Sequence, residues 1–180
     1  MYTVDETYLE DFLWWITERQ RIYVKRFIHD QDPPWTEHQI LRAYHFCHAQ
    51  RRLDRGTQFA LDHVLRPDAD DAGVLLNTLF YRFFNKPETY EAIGGFQDPS
   101  EFDCSSLFTV LDAYSDHHTL FSSAYRVTTH PWANMDTKHG NILFGVFRED
   151  ILPNLHDYTD RIFNADSMEA VFDVLLEIDG

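Results

Sequence analysis

Long apolar runs are missing from this chain of 180 residues: no stretch of eighteen or more apolar residues occurs, and no basic-then-apolar leader opens it. The first absence excludes a simple membrane-spanning helix, and the second gives the expectation of a cytoplasmic protein with no membrane partner. Cysteine is nearly missing too. Cys47 and Cys104 have neither metal nor redox spacing, so two reduced structural thiols are expected rather than a disulfide framework. Glycine is sparse, with 7 residues, and none falls in G-x-x-x-x-G-K-[ST] or G-x-G-x-x-G. The chain therefore carries no phosphate-binding loop of its own, and the absence of G-x-S-x-G removes the nucleophile elbow. Ten histidines are present, including His45 and His48, His117-His118, His130 and His139. None forms H-E-x-x-H or joins a paired C-x-x-C, so no metal and no cofactor are expected.

Positive charge is scarce as well. Fifteen Lys and Arg face thirty acids, a net charge of −15, which argues against a generic nucleic-acid coat. The distribution is uneven, however. Residues 1–86 hold 11 of the basic residues against 13 acids, whereas residues 87–180 hold 4 against 17. The window from Arg19 to Arg55 has eight basic and four acidic residues, a local excess that can still meet phosphate.

What is there is apolar periodicity at helical spacing. Apolar residues make up 44% and aromatics 16%, enough for a core, and the reading is all-α and nearly all helix. A first helix is expected from Asp5 to Ile28, before the Pro33-Pro34 loop. A second should start at Thr36, with Gln39 completing a capping box and Trp35 stapling on Ile40, and run to Leu65 before Arg66-Pro67. Further helices are expected over Asp71–Phe84, from Pro87 to Gly94-Gly95, from a Ser100 cap to Tyr114, and from an Asp166/Glu169 cap to Glu177. Residues 116–140 read mostly as loop.

Within this pattern four arginines fall on apolar stripes. Arg19 and Arg26 lie a heptad apart among Phe12, Trp15, Tyr23 and Phe27. Arg51 and Arg55 follow Leu41, Tyr44 and His48 along the expected second helix. A guanidinium never loses its charge, so four on inward faces require carboxylate partners or an anionic ligand. Glu18 and Asp54 are the neighbouring carboxylates, and both readings stay open. Trp14, Trp15, Trp35, Tyr44 and Phe46 are interleaved with the cations. Such aromatics more often pack in a core, but they can also stack on unpaired bases.

In order, ITERQRIYVKR, PPWTEHQIL, FCHAQRRLDRGTQ, FYRFFNKPETYE and FSSAYRV resemble the helical family that hypermodifies thymine in bacteriophage DNA. This family comprises the alpha-glutamyl/putrescinyl thymine pyrophosphorylases and the related helical domain of 5-hydroxymethyluracil DNA kinases. The matching positions are Glu18, Arg19, Arg26, Trp35, Thr36, Arg51, Asp54, Arg55, Arg82, Asn85, Lys86 and Glu88. The chain departs from the family pattern at Glu37-His38, His48 and Arg52. FNKPETYE leans toward the pyrophosphorylase branch.

The resemblance implies one helical domain over residues 1–180, an orthogonal array similar to the N-terminal part of helix-hairpin-helix DNA glycosylases. The chain ends on the first half of such a hairpin turn. Either the chain is a fragment of a longer one or a partner supplies the missing C-terminal half, and a P-loop kinase is the other partner the resemblance implies. The implied function is phage or prophage DNA modification in the host cytoplasm. A flipped 5-substituted pyrimidine would exchange its pyrophosphate for an amine, glutamate or putrescine. In that reading Arg19, Arg26, Arg51, Arg55, Arg82 and Lys86 bind phosphate and DNA, while Trp35, Tyr44, His48 and Asn85 line the base pocket. Glu18 or Asp54 orients the arginines or takes the amine's proton. The alternatives are a non-catalytic DNA-binding module of a 5-hydroxymethyluracil DNA kinase system and a glycosylase-like base-binding protein.

Overall fold

The computed structural model of the protein describes residues 5–44, 48, 50–122 and 135–178. His45, Phe46, Cys47, His130, the Ser123–Val127 part of FSSAYRV and the terminal Asp179-Gly180 lie outside the described residues. Every regular element among the described residues is helical, so the all-α expectation holds. The chain divides into two compact units, residues 1–58 and 59–180.

The first unit is built on α1 (Glu6–Tyr23). Asp5 caps it by accepting from the Thr7 and Tyr8 amides, and the helix continues into a π-helical turn, Val24–Ile28. This matches the expected first helix. The second does not. Instead of one helix to Leu65, α2 spans only Gln39–Ala43, a 3-10 turn follows at Arg51–Leu53, and α3 begins at Arg55 and ends at Phe59. Tyr44 and Asp54 both have extended backbone, with ψ of 147° and 139°, so residues 41 to 59 share no single helical face. The capping box is also replaced. Thr36 sits three residues before α2 and donates its hydroxyl to Glu18, while His38 occupies the cap position.

The second unit opens with a π-helical turn, Ala60–Val64, and holds most of the core. The helix α4 (Asp71–Phe84) has the expected bounds; Asp70 caps it at the Gly73 amide. It ends at Asn85, which takes the left-handed conformation at φ 49°. Lys86 is the cap of α5 (Pro87–Ala92), whose first position is the proline, and Gly94 and Gly95 close that turn at φ 90° and 81°. The next helix, α6 (Cys104–Ser115), is capped by Asp103, which accepts from the Ser105 and Ser106 amides; Ser100 instead bonds Asp98. A three-residue turn, α7 (Lys138–Gly140), continues through the π-helical Asn141–Ile151 into α8 (Leu152–Phe163). In α9 (Met168–Glu177) the cap is Ser167, one residue beyond the expected Asp166.

Leu76, Phe80 and Phe84 of α4 bury completely, or nearly so, with Leu111, Ile142, Leu143, Val146, Phe147 and Ile151. Polar groups are buried there too, Asn77 and Thr89 completely. The Asn77 amide donates to the Gly73 and Gln97 carbonyls, and its oxygen accepts from the Tyr90 hydroxyl (2.9 Å) and the Gln97 amide (2.8 Å). All its hydrogen-bonding capacity is used, which is what burial of an amide requires. Cys104 is a buried free thiol, with desolvation pushing its pKa up to about 11. It behaves as a small apolar group.

Candidate nucleic-acid interface

The four arginines are not buried. Arg26, Arg51 and Arg55 are exposed and Arg19 is half-buried, so the expectation of guanidiniums on inward faces is corrected. The reason differs between the pairs. The helix α1 contributes no buried residue at all, so its apolar stripe is not a core face. Arg51 lies in a 3-10 turn and Arg55 opens α3, with the extended Asp54 between them, so no single helical face joins them to Leu41 and Tyr44.

Residues 18–36 form a connected polar corner. The Thr36 hydroxyl donates to Glu18 Oε1 at 2.7 Å, and the other carboxylate oxygen meets Arg21 at 3.2 Å. Lys25 Nζ donates to the Trp35 carbonyl at 2.9 Å, and the Trp35 indole N–H donates to the Gln31 carbonyl at 2.6 Å. The Arg26 guanidinium lies over the Trp35 and Phe27 rings, 5.0 and 4.8 Å from their centroids. The Pro33-Pro34 bond is cis and leads the chain into this corner. The Thr36 hydrogen bond holds the Glu18 carboxyl below its ordinary value, opposed by burial and reinforced by Arg21. Glu18 is therefore an ionised acceptor at neutral pH and a weak base.

A second knot surrounds Asp54. One oxygen accepts from the His48 amide at 2.7 Å and the other pairs with Arg51 at 2.6 Å. The His48 ring is buried, meets Tyr23 at 5.0 Å, and accepts at Nδ1 from the Gln50 amide at 3.0 Å. Tyr44 is 67% exposed. Of the expected site residues, Glu18, Arg26 and Trp35 meet, together with Thr36, in one corner, and His48, Arg51 and Asp54 in the other knot.

Arg82, Asn85 and Lys86 belong to the second unit. Lys86 donates to the Thr119 carbonyl and hydroxyl, and Thr89 Oγ1 donates to the Leu120 carbonyl at 2.7 Å. The Ser122 amide bonds the Phe84 carbonyl at 3.2 Å, and Phe84 stacks on Phe121 at 5.0 Å. The motif FNKPETYE thus turns α4 into α5 and grips residues 119–122. Arg82 is exposed on α4.

The residues that sequence reading passed over line a groove of about 480 Å³ in the first unit: Ile16, Thr17, Gln20, Arg21, Val24 and Lys25 of α1, with Gln50 opposite. Neither Arg19 nor Arg26 contributes to it. Helical spacing carried the signal, since 16, 20 and 24 and 17, 21 and 25 are i, i+4 series. Among the described residues no group of three His, Cys, Asp or Glu could hold a metal ion.

Comparison with known families matches residues 6–180 to the family described as 5-hmdU DNA kinase, helical domain. The chain belongs to that family. A relative from Bacillus phage SP10, the 5-hmdU DNA kinase, is 33% identical over 170 residues, covering 88% of this chain and 26% of its own length. The chain thus spans about a quarter of that relative. No solved structure matches it. No helix among the described residues is long and apolar enough to cross a membrane.

Proposed function

We propose that this helical domain is the DNA-engaging module of a phage thymine-hypermodification system. It holds DNA that contains a 5-hydroxymethyl pyrimidine for a phosphotransfer activity carried elsewhere. The family match over residues 6–180 carries this reading. Two features of the chain support it. The sequence has no phosphate-binding loop for a nucleotide triphosphate. The first unit presents exposed guanidiniums, Arg26, Arg51 and Arg55, in a window of local positive charge. Solvent-facing cations suit phosphate contacts, which position a protein on DNA through counterion release. Glu18 and Asp54 act in this reading as orienting carboxylates for Arg21 and Arg51. The partner is DNA together with the phosphotransferase portion.

The amine-for-pyrophosphate exchange has less support. It needs a base near the amine, whereas the Thr36 hydrogen bond makes Glu18 a weaker base and Asp54 is bonded to His48 and Arg51. One experiment separates the readings. The chain is titrated against duplexes containing thymine or 5-hydroxymethyluracil, and nucleosides are then analysed by mass spectrometry after incubation with pyrophosphorylated DNA and glutamate or putrescine. Binding without a mass change is expected. An amine adduct would establish the transferase instead, and absence of DNA binding would remove both.

A further inference from the structure

We propose that α1 is a self-complementary docking helix, on which a second copy of this chain pairs antiparallel across a two-fold axis. The inference does not depend on the DNA-binding reading, although Arg21, which meets Glu18 within the chain, takes part in both.

The first half of α1 exposes a continuous apolar strip. Tyr8 is 77% exposed, Phe12 59%, Leu13 53% and Leu9 44%. Strips of this size on a helix that buries nothing of its own mark an interaction surface. The strip runs, at three- and four-residue spacing, into Ile16, Gln20 and Val24, which line the groove together with Gln50. One half of the helix therefore offers apolar knobs and the other half a groove. In an antiparallel pair Leu9 of each copy falls between Gln20 and Val24 of the other and Phe12 between its Ile16 and Gln20, and Leu13 and Ile16 meet near the axis. Two knob sets fill two grooves.

Charge identifies the occupant. One edge of the strip carries Glu6 and Glu10 at its start and Arg21 and Lys25 at its end. Antiparallel helices related by a two-fold axis bring like edges together in reverse order. Glu10 and Arg21 are equally far from a point midway between Trp15 and Ile16, and so are Glu6 and Lys25. A single axis at that point places both acids of one copy against both bases of the other. A DNA backbone would meet the carboxylates of Glu6, Glu10 and Asp11 with like charge, so it is excluded from this half.

Sedimentation equilibrium of the whole chain across the micromolar range tests the pairing. The wild type is expected to dimerise. Glu10→Arg creates two facing Arg–Arg pairs and Arg21→Glu two facing Glu–Glu pairs, so each variant alone is expected to self-associate roughly tenfold more weakly. An equimolar mixture restores opposite charges at every pair and is expected to recover the dimer as a heterodimer. Leu13→Lys places a charge on the seam at an exposed position and is expected to give a monomer with unchanged circular dichroism. A monomeric wild type, a dimer insensitive to both charge reversals, or weakening that mixing does not restore would each overturn the proposal.

Discussion

Thr36 shows how a single hydroxyl can set the character of a site. Its hydrogen bond to Glu18 spans eighteen residues and joins the loop after the cis proline to the middle of α1. Because the bond favours the charged carboxylate, the folded pKa of Glu18 lies below the unfolded one. Such a group contributes stability in full above the ordinary glutamate value of about 4.3, and loses it as pH falls through the depressed folded value. Thr36→Val should therefore destabilise the first unit by about 1 kcal/mol at neutral pH. The gap to wild type should close in acid as Glu18 protonates in both proteins. Three of the four tryptophans, Trp14, Trp15 and Trp35, lie in this unit, so urea melts followed by tryptophan fluorescence at pH 7 and pH 3 read it directly. An undiminished gap at pH 3 would assign the effect to packing rather than to the carboxylate. The family motif also looked different from its residues alone. Lys86, expected in an anion clamp, anchors on Thr119, and Trp35, expected in a base pocket, is tied to Gln31 and covered by Arg26. Side chains that match a family pattern can be fixed by backbone partners that no spacing reveals.

At the scale of elements, the α4–α5 corner was the most readable part of the chain. Residue 85 must take positive φ to end α4 one residue before Lys86 caps α5, and an asparagine ahead of Lys-Pro signals that. Asn85→Gly is expected to change stability by a few tenths of a kcal/mol, whereas Asn85→Ala, with a Cβ and no compensating side chain, is expected to cost about 1 kcal/mol. Thermal melts of the two variants distinguish this from a loss of side-chain contacts, which would affect both alike. Capping glycines, the proline at the first helical position and continuous 3.6-residue periodicity made α1, α4 and α5 legible. Residues 36–65 were not legible, because their helical-looking spacing is interrupted by two extended residues: Tyr44, which ends α2 with its amide on the Ile40 carbonyl, and Asp54, whose carboxylate holds the His48 amide and Arg51. The helical run from Asn141 to Phe163 was not read from the sequence, although Ile142, Leu143, Val146, Phe147 and Ile151 recur at helical spacing on its buried side and Arg148 and Glu149 lie exposed on the other. At Ser100 and Asp166, a nearby residue with equal capping chemistry took the role, which is the usual uncertainty in helix starts.

Across the whole molecule the decisive quantity is where charge sits relative to a strongly acidic total. A net charge of −15 repels DNA at long range, so binding must rest on a few close guanidinium contacts and should weaken steeply with added salt. Each phosphate contact removed should lower the slope of log affinity against log salt by about 0.9. Arg26→Ala takes an exposed cation from a surface already braced by Trp35 and Phe27, so its effect should fall on DNA rather than on folding. It should weaken thymine and 5-hydroxymethyluracil duplexes equally, because phosphate contacts carry no base information. Lys86→Ala removes the same unit of charge from the same net total. Since that amine is bonded to Thr119, the expected result is a less stable second unit with the salt slope unchanged. Fluorescence anisotropy at several salt concentrations separates the two variants. Equal slopes would mean that total charge governs binding and that the exposed arginines of the first unit are not the contact. A reduced slope for Arg26→Ala alone would tie DNA engagement to the α1 end of the molecule, beside the half of the helix whose acids turn DNA away.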